Sequence, residues 1–204
     1  SARGQACGGA LADGLPAETV DVTTPLTETT GTRVRSEDGV FVSVLRAATP
    51  FVAGLVGSLP RATQGVLSAS RDESRRREDG SFPVEVEYVK LPDIDGDTVV
   101  VADPMLGTGS TMVAALETVV AAGDPETVIA LAAVSAPAGV ERVQQAFPDV
   151  EVATVAVDDG LDEEGYIVPG LGAAGDRAVG TESEWTTPGF AADEPHRNPL
   201  PSGA

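Results

Sequence analysis

The chain has 204 residues, with 32 Asp and Glu against 13 Lys and Arg, a formal net charge of −19, and 42% apolar residues. That length suits one domain of about 150–200 residues with a substantial core, and so acidic a surface excludes a general nucleic-acid binder. No apolar run reaches about 18 residues and no signal-peptide pattern is present, so a cytoplasmic protein without a membrane span is expected.

Residues 1–35 carry weak patterns. Ala6–Leu15 reads as a helix remnant, weakened by Gly4, Gly8, Gly9 and Gly14. Thr19–Val22 and Arg33–Val34 read as short edge strands. Because the chain starts at Ser1 rather than Met, a processed or incomplete N-terminus is expected. From Gly39 the signal sharpens. Val40–Leu45 is a buried-strand run, and Thr49–Leu59 an apolar helix with Pro50 suited to its first turn. Gly65–Ser70 is the next strand. Arg71–Phe82 is charged and contains Gly, and Val84–Leu91 alternates, so together they predict a protruding β-hairpin arm.

Strands and helices then alternate: Thr98–Ala102 strand, Ser110–Ala122 helix, Val128–Val134 strand, Gly139–Phe147 helix, Val152–Val157 strand. This is the pattern of βαβ units, and it predicts an α/β fold with an open, mostly parallel sheet flanked by helices. Ligands in such sheets bind beyond the carboxyl ends of the strands. Asp103, Ser135-Ala136-Pro137 and Asp158-Asp159-Gly160 all follow strand ends and should converge on one rim. Asp158–Thr181, dense in glycine, predicts a structured loop without a regular helix. One domain is therefore expected over residues 1–181. Glu182–Ala204, rich in Pro, Gly and acid, reads as a mostly disordered tail.

Among the basic residues only Lys90 is a lysine. Scarce Lys, abundant acid and many Ala, Val and Gly suit molar salt, which screens the repulsion among acidic side chains. Cys7, alone, cannot form an internal disulfide; it is either a reactive thiol or an inert one, and no partner His is apparent. Arg75-Arg76-Arg77 is offset by Asp72, Glu73, Glu78 and Asp79, which favours a solvated mobile hairpin over a nucleic-acid patch. A lid closing over a ligand is the alternative role for this stretch. His196 and Trp185 fall in the tail, and a lone His does not make a metal site.

The densest chemistry lies in Val99–Thr111, VVVADPMLGTGST. An apolar strand ends at Asp103, a Gly/Thr/Ser loop follows, and a helix begins. Unpaired N–H groups at a helix start, with the helix dipole, favour a phosphate. Thr108, Ser110 and Thr111 add hydroxyl donors, and Gly107 and Gly109 allow close backbone approach. Asp103 is placed to hold sugar hydroxyls or a hydrated Mg²⁺. Neither G-x-x-x-x-G-K-[ST] nor G-x-G-x-x-G occurs. An ordinary strand–turn–helix without a ligand is the competing reading of this loop.

D-P-M-L-x-T-G resembles the uracil phosphoribosyltransferase family, within the type I phosphoribosyltransferase fold. So does GYIVPGLGAAGDR, Gly165–Arg177, which matches that family's G-Y-I-[IV]-P-G-L-G-D-A-G-D-R. Similarity is continuous from about Val99 to Thr181 and looser from Val22 to Pro92, where T-P-L, V-L-R-A and R-D-E stand as islands.

The resemblance implies conversion of uracil and 5-phosphoribosyl 1-diphosphate (PRPP) to UMP and diphosphate, with Mg²⁺ held mainly by PRPP. It assigns the diphosphate to Arg46 and Arg71, with Arg71 and Asp103 as catalytic candidates. PRPP would also meet Asp103, Pro104, Met105, Leu106, Gly107, Thr108, Gly109, Ser110, Thr111 and Ala173. Uracil would be framed by Ile167, Gly172, Ala173 and Ala174. A glycine-dense loop suits this work, because bare main-chain donors and acceptors can match uracil and reject cytosine. Relatives are dimers or tetramers, sometimes activated by GTP, so a homo-oligomer is expected.

Several positions depart from the family pattern. Ala173 replaces the first Asp of G-D-A-G-D, removing a charge from the reacting centre; Asp176, the second acid, survives. Ser70 stands where Tyr is usual, Ala48 for Gly, Gly107 for Ala, and Ser110-Thr111 for Gly-Ser. Two alternatives stay open: a weakened regulatory paralogue that binds PRPP or UMP, and a phosphoribosyltransferase for another base.

Overall fold

The computed structural model describes Leu15 and residues 17–72, 74–78 and 80–180. Cys7, Trp185, His196, the tail from Glu182 and the helix expected over Ala6–Leu15, Leu15 apart, lie outside the described residues.

β1 (Ala17–Thr23) and β2 (Glu28–Val34) form an antiparallel hairpin of their own, with Ala17 opposite Val34 and Thr23 opposite Glu28. This corrects the expectation of two short edge strands. Glu28-Thr29-Thr30-Gly31-Thr32 lacks apolar alternation, yet β-branched threonines suit an exposed strand. Thr24 closes the turn, its hydroxyl donating to the Thr27 carbonyl at 2.8 Å and accepting the Thr27 N–H at 3.0 Å.

The central sheet has seven strands: β3 (Gly39–Leu45), β4 (Thr63–Arg71), β5 (Val84–Lys90), β6 (Thr98–Ala102), β7 (Met105–Leu106), β8 (Thr127–Ser135) and β9 (Glu151–Val157). Its parallel part runs β4-β3-β6-β8-β9, and the two-residue β7 continues beside β8 beyond the end of β6. Antiparallel β5 closes the β4 edge. The predicted hairpin arm is thus an outgrowth of the sheet edge, and its connection spans residues 72–83.

Residue alternation explains why the sheet is covered on both faces. Val40, Val42, Val44, Val99, Val101, Ala130 and Ala132 share one cluster with Met112, Ala115, Leu116 and Val119 of α2 (Ser110–Ala122) and Val143 of α3 (Pro137–Ala146). Phe41, Val100, Ala102, Ile129 and Leu131 point the other way, to Phe51, Val52 and Leu55 of α1 (Thr49–Ser58) and to Leu15. Neighbouring strand residues face opposite sides, so central parallel strands are largely apolar on both faces, Ser43 being a buried exception in β3. Each such fully buried Val, Leu or Phe contributes roughly 1.5–3 kcal/mol.

In order of appearance the parallel strands stand 2-1-3-4-5. Chain direction across the sheet therefore reverses between β3 and β6, and the crevice at their carboxyl ends is the natural ligand site of a doubly wound sheet. Leu45-Arg46 and Ala102-Asp103 mark that crevice.

The segment after β9 holds two two-residue strands, β10 (Gly160–Leu161) and β11 (Ile167–Val168), and a helical turn, α4 (Ala174–Val179). The last corrects the expectation of a loop without helix. Only Gly175 interrupts the run Ala173–Val179, and Gly180, at φ 71°, ends it in the left-handed conformation favoured after a helix.

Candidate functional site

At the crevice lies a cavity of about 360 Å³, lined by Arg46, Arg71, Asp103, the 105–109 loop, Thr111 and the glycine-rich stretch of residues 165–167 and 172–176. Two segments about sixty residues apart in sequence thus share one hollow. Asp158 lies beside the end of β8, its N–H donating to the Ser135 carbonyl at 2.8 Å, but neither residue lines the cavity.

The floor is the loop from β6 to α2. Gly109 precedes α2 at φ 80°, a conformation that side-chain-bearing residues adopt at a cost. The loop's carbonyls are held from behind. Leu106 O accepts the Ala136 N–H at 2.8 Å, and Thr108 O accepts Nε of Arg142 at 2.7 Å. α3 begins so close behind that a Cβ on Gly139 would lie 2.4 Å from the Gly107 oxygen. Among the N–H groups at the α2 start, that of Ser110 turns back to the Thr108 hydroxyl at 3.5 Å.

Asp103 accepts the Met105 N–H at 3.1 Å. Burial pushes its carboxyl up to about 6, opposed by that hydrogen bond and by the positive charge of Arg71. A carboxyl raised by desolvation inside a cavity makes Asp103 a candidate functional group.

Arg71 ends β4 and enters the same cavity. Arg46 follows β3 across a cis Leu45–Arg46 peptide bond. Its guanidinium pairs with Asp176 at 3.0 Å, both side chains being substantially exposed. Asp176 sits in the first turn of α4, after Ala173. The remaining wall is held by its own contacts: Asp158 accepts the Gly170 N–H at 2.9 Å, and Arg177 donates to the Leu171 carbonyl at 2.7 Å.

Ile167, Gly172, Ala173 and Ala174 all line the cavity, as do Arg46, Arg71, Asp103, Met105, Leu106, Gly107, Thr108, Gly109 and Thr111. Two expected residues do not. The Pro104 carbonyl faces β8, accepting N–H groups of Ala133 and Val134, and Ser110 is buried with its hydroxyl accepting the Phe82 N–H at 3.0 Å. The Ser110 hydroxyl joins the arm to the helix instead of facing the cavity. Arg76, expected in a solvated mobile stretch, donates to the Glu163 carbonyl and lies over the Phe82 ring.

Gly139, Arg142 and Phe82 were not apparent from sequence. The small Ala138-Gly139 pair at a predicted helix start is the one signal that could have marked close approach.

The uracil phosphoribosyltransferase family model matches residues 7–181. The chain belongs to this family. A relative named uracil phosphoribosyltransferase from Natronomonas pharaonis is 59% identical over 182 residues, covering 87% of this chain and 82% of that one. Among solved structures, the AQ2163 protein from Aquifex aeolicus matches with a TM-score of 0.77 at 32% identity, over 89% of this chain and 84% of that one. A purine phosphoribosyltransferase from Pyrococcus horikoshii shares the fold at 14% identity, TM-score 0.52, over 78% and 82% of the two chains. The fold is that of the type I phosphoribosyltransferases, and the family's two long motifs meet at one cavity. No helix among the described residues is long and apolar enough to cross a membrane.

Proposed function

We propose that the chain transfers the 5-phosphoribosyl group of PRPP to N1 of uracil, releasing diphosphate and forming UMP. The observation that carries this reading is the shared cavity: a phosphate-type loop and a glycine-rich wall border one hollow. That wall offers main-chain donors and acceptors, suited to a flat base with two carbonyls and two N–H groups.

In the reaction the C1–O bond to diphosphate breaks, the C1–N1 bond forms, and the N1 proton leaves with diphosphate or solvent. Positive charge builds at C1, as in glycoside chemistry. Orientation and neutralisation of the leaving group then supply most of the rate. Arg71 and Arg46 suit a diphosphate because a guanidinium donates two parallel hydrogen bonds. Arg46 exchanges Asp176 for phosphate on binding. Exposed ion pairs are worth about 0–1 kcal/mol, so this exchange costs little.

Mg²⁺ fits the donor set as a substrate-borne ion: the Asp103 carboxylate would hold its water shell, and such an ion keeps several waters while taking one or two carboxylates and the substrate phosphates. The metal, when bound, neutralises charge on the leaving diphosphate.

On family resemblance alone, the proposal extends to a homo-oligomer and to activation by GTP; molar mass in solution, and rates with and without GTP, test both. The acidic surface extends it to work in molar salt. The deciding assay is conversion of labelled uracil to UMP with PRPP and Mg²⁺ in molar KCl. Binding of PRPP without turnover would favour a regulatory protein, the reading that Ala173 supports.

A further inference from the structure

Phe82 is 5% exposed, and three parts of the cavity wall meet on it. The guanidinium of Arg71 lies over its ring, 5.7 Å from Cζ to the centroid. The main-chain N–H of Phe82 donates to the Ser110 hydroxyl in the first turn of α2, which ties the Phe82 backbone to the helix that follows the floor loop. A Cβ on Gly165 would stand 3.2 Å from Cε2 of Phe82, so the backbone of the glycine-rich wall lies close against the ring. Arg76 also lies over the ring at 5.8 Å and donates to the Glu163 carbonyl, strapping that wall to the arm.

From this juxtaposition we propose that Phe82 is a positioning residue, whose ring holds the Arg71 guanidinium in place for the diphosphate of PRPP. The inference rests on the proposed function, since it takes Arg71 as a diphosphate ligand. A free arginine side chain samples many rotamers, and ordering it on binding costs affinity. An aromatic face attracts the cation without consuming one of its hydrogen-bond donors. The backbone that carries the ring is tied to Ser110, which links the arm holding Arg71's partner to the helix after the floor loop.

The test is a double-mutant cycle on the full chain in molar KCl with Mg²⁺, reading the dissociation constant for PRPP. Phe82→Leu should weaken PRPP binding about three- to thirty-fold in the wild-type background, the range of a partly desolvated cation–π contact. In an Arg71→Gln background the same change should cost less than about twofold, because the side chain it positions is gone. Phe82→Tyr, which keeps the π face, should restore wild-type affinity. Phe82→Met, similar in volume but without a π face, is the second variant if the Leu protein fails to fold. Equal losses in both backgrounds, or unchanged PRPP affinity in Phe82→Leu, overturn the inference alone. Wild-type protein that binds no PRPP overturns the proposed function and this inference with it.

Discussion

Replacing Asp103 by Asn should stabilise the ligand-free protein, and the size of the gain follows from the cavity. Burial raises this carboxyl from the ordinary 3.8 to about 6 in the folded chain. A group whose folded pKa is raised favours folding while protonated. Its contribution is therefore intact below pH 3.8, declines as pH climbs toward 6, and stays lost above that. Near 1.4 kcal/mol per unit, the shift amounts to about 3 kcal/mol at pH 8. Asn removes the charge and keeps an oxygen for the Met105 N–H. For a domain of this size the gain corresponds to about 6–12 °C in Tm. Thermal unfolding of both proteins without ligand, followed from pH 4 to pH 8 at constant KCl, provides the comparison. The midpoints should agree near pH 4 and separate by pH 6–7, with Asn the more stable. Identical pH profiles, or a less stable Asn variant at pH 8, would refute the reasoning. UMP formation by the variant should nevertheless fall.

Other substitutions examine the supports of the floor. Gly139→Ala puts a Cβ 2.4 Å from the Gly107 oxygen and 2.7 Å from that of Leu106, both backbone, so the loop or α3 must move. A loss of about 1–3 kcal/mol in chemical denaturation, with weaker ribose 5-phosphate binding, is expected. Arg142→Ala leaves the Thr108 carbonyl without its guanidinium donor. At about 1.5 kcal/mol for a charged hydrogen bond, KM for PRPP should rise about tenfold. Ala173→Asp restores the family's carboxylate, and kcat should rise by up to about 10²-fold, the scale of one electrostatic contact at a reacting centre. An unchanged rate would show that this carboxylate contributes nothing here.

The parts of the molecule legible in sequence were those written locally. β3, β6 and β8 are buried on both faces, so they stood out as long apolar runs, broken in β3 only by Ser43, and the helices between them followed from spacing. The floor loop was legible because strand, glycines and helix start are contiguous. β2 was half missed, since an exposed threonine strand has no buried face to print a pattern. α4 was missed because three glycines flank or interrupt its single turn.

Contacts between distant residues were not legible. The bond from the Phe82 N–H to the Ser110 hydroxyl, 28 residues away, leaves no mark in the sequence. Arg76 stays exposed, as its charged surroundings imply, yet meets the Glu163 carbonyl 87 residues on. Asp176 reads as a surviving second acid, and folding brings it to Arg46 across 130 residues. Of the residues that resemblance named, all but Pro104 and Ser110 line the cavity. Packing decided which of them face into it.

One nucleotide should span the floor loop and the glycine-rich wall, and a crystal structure with UMP tests that directly. The phosphate should lie against the main chain of residues 107–111, and the pyrimidine against Ile167 and residues 172–174. UMP bound elsewhere, or touching one of the two segments without the other, would contradict it.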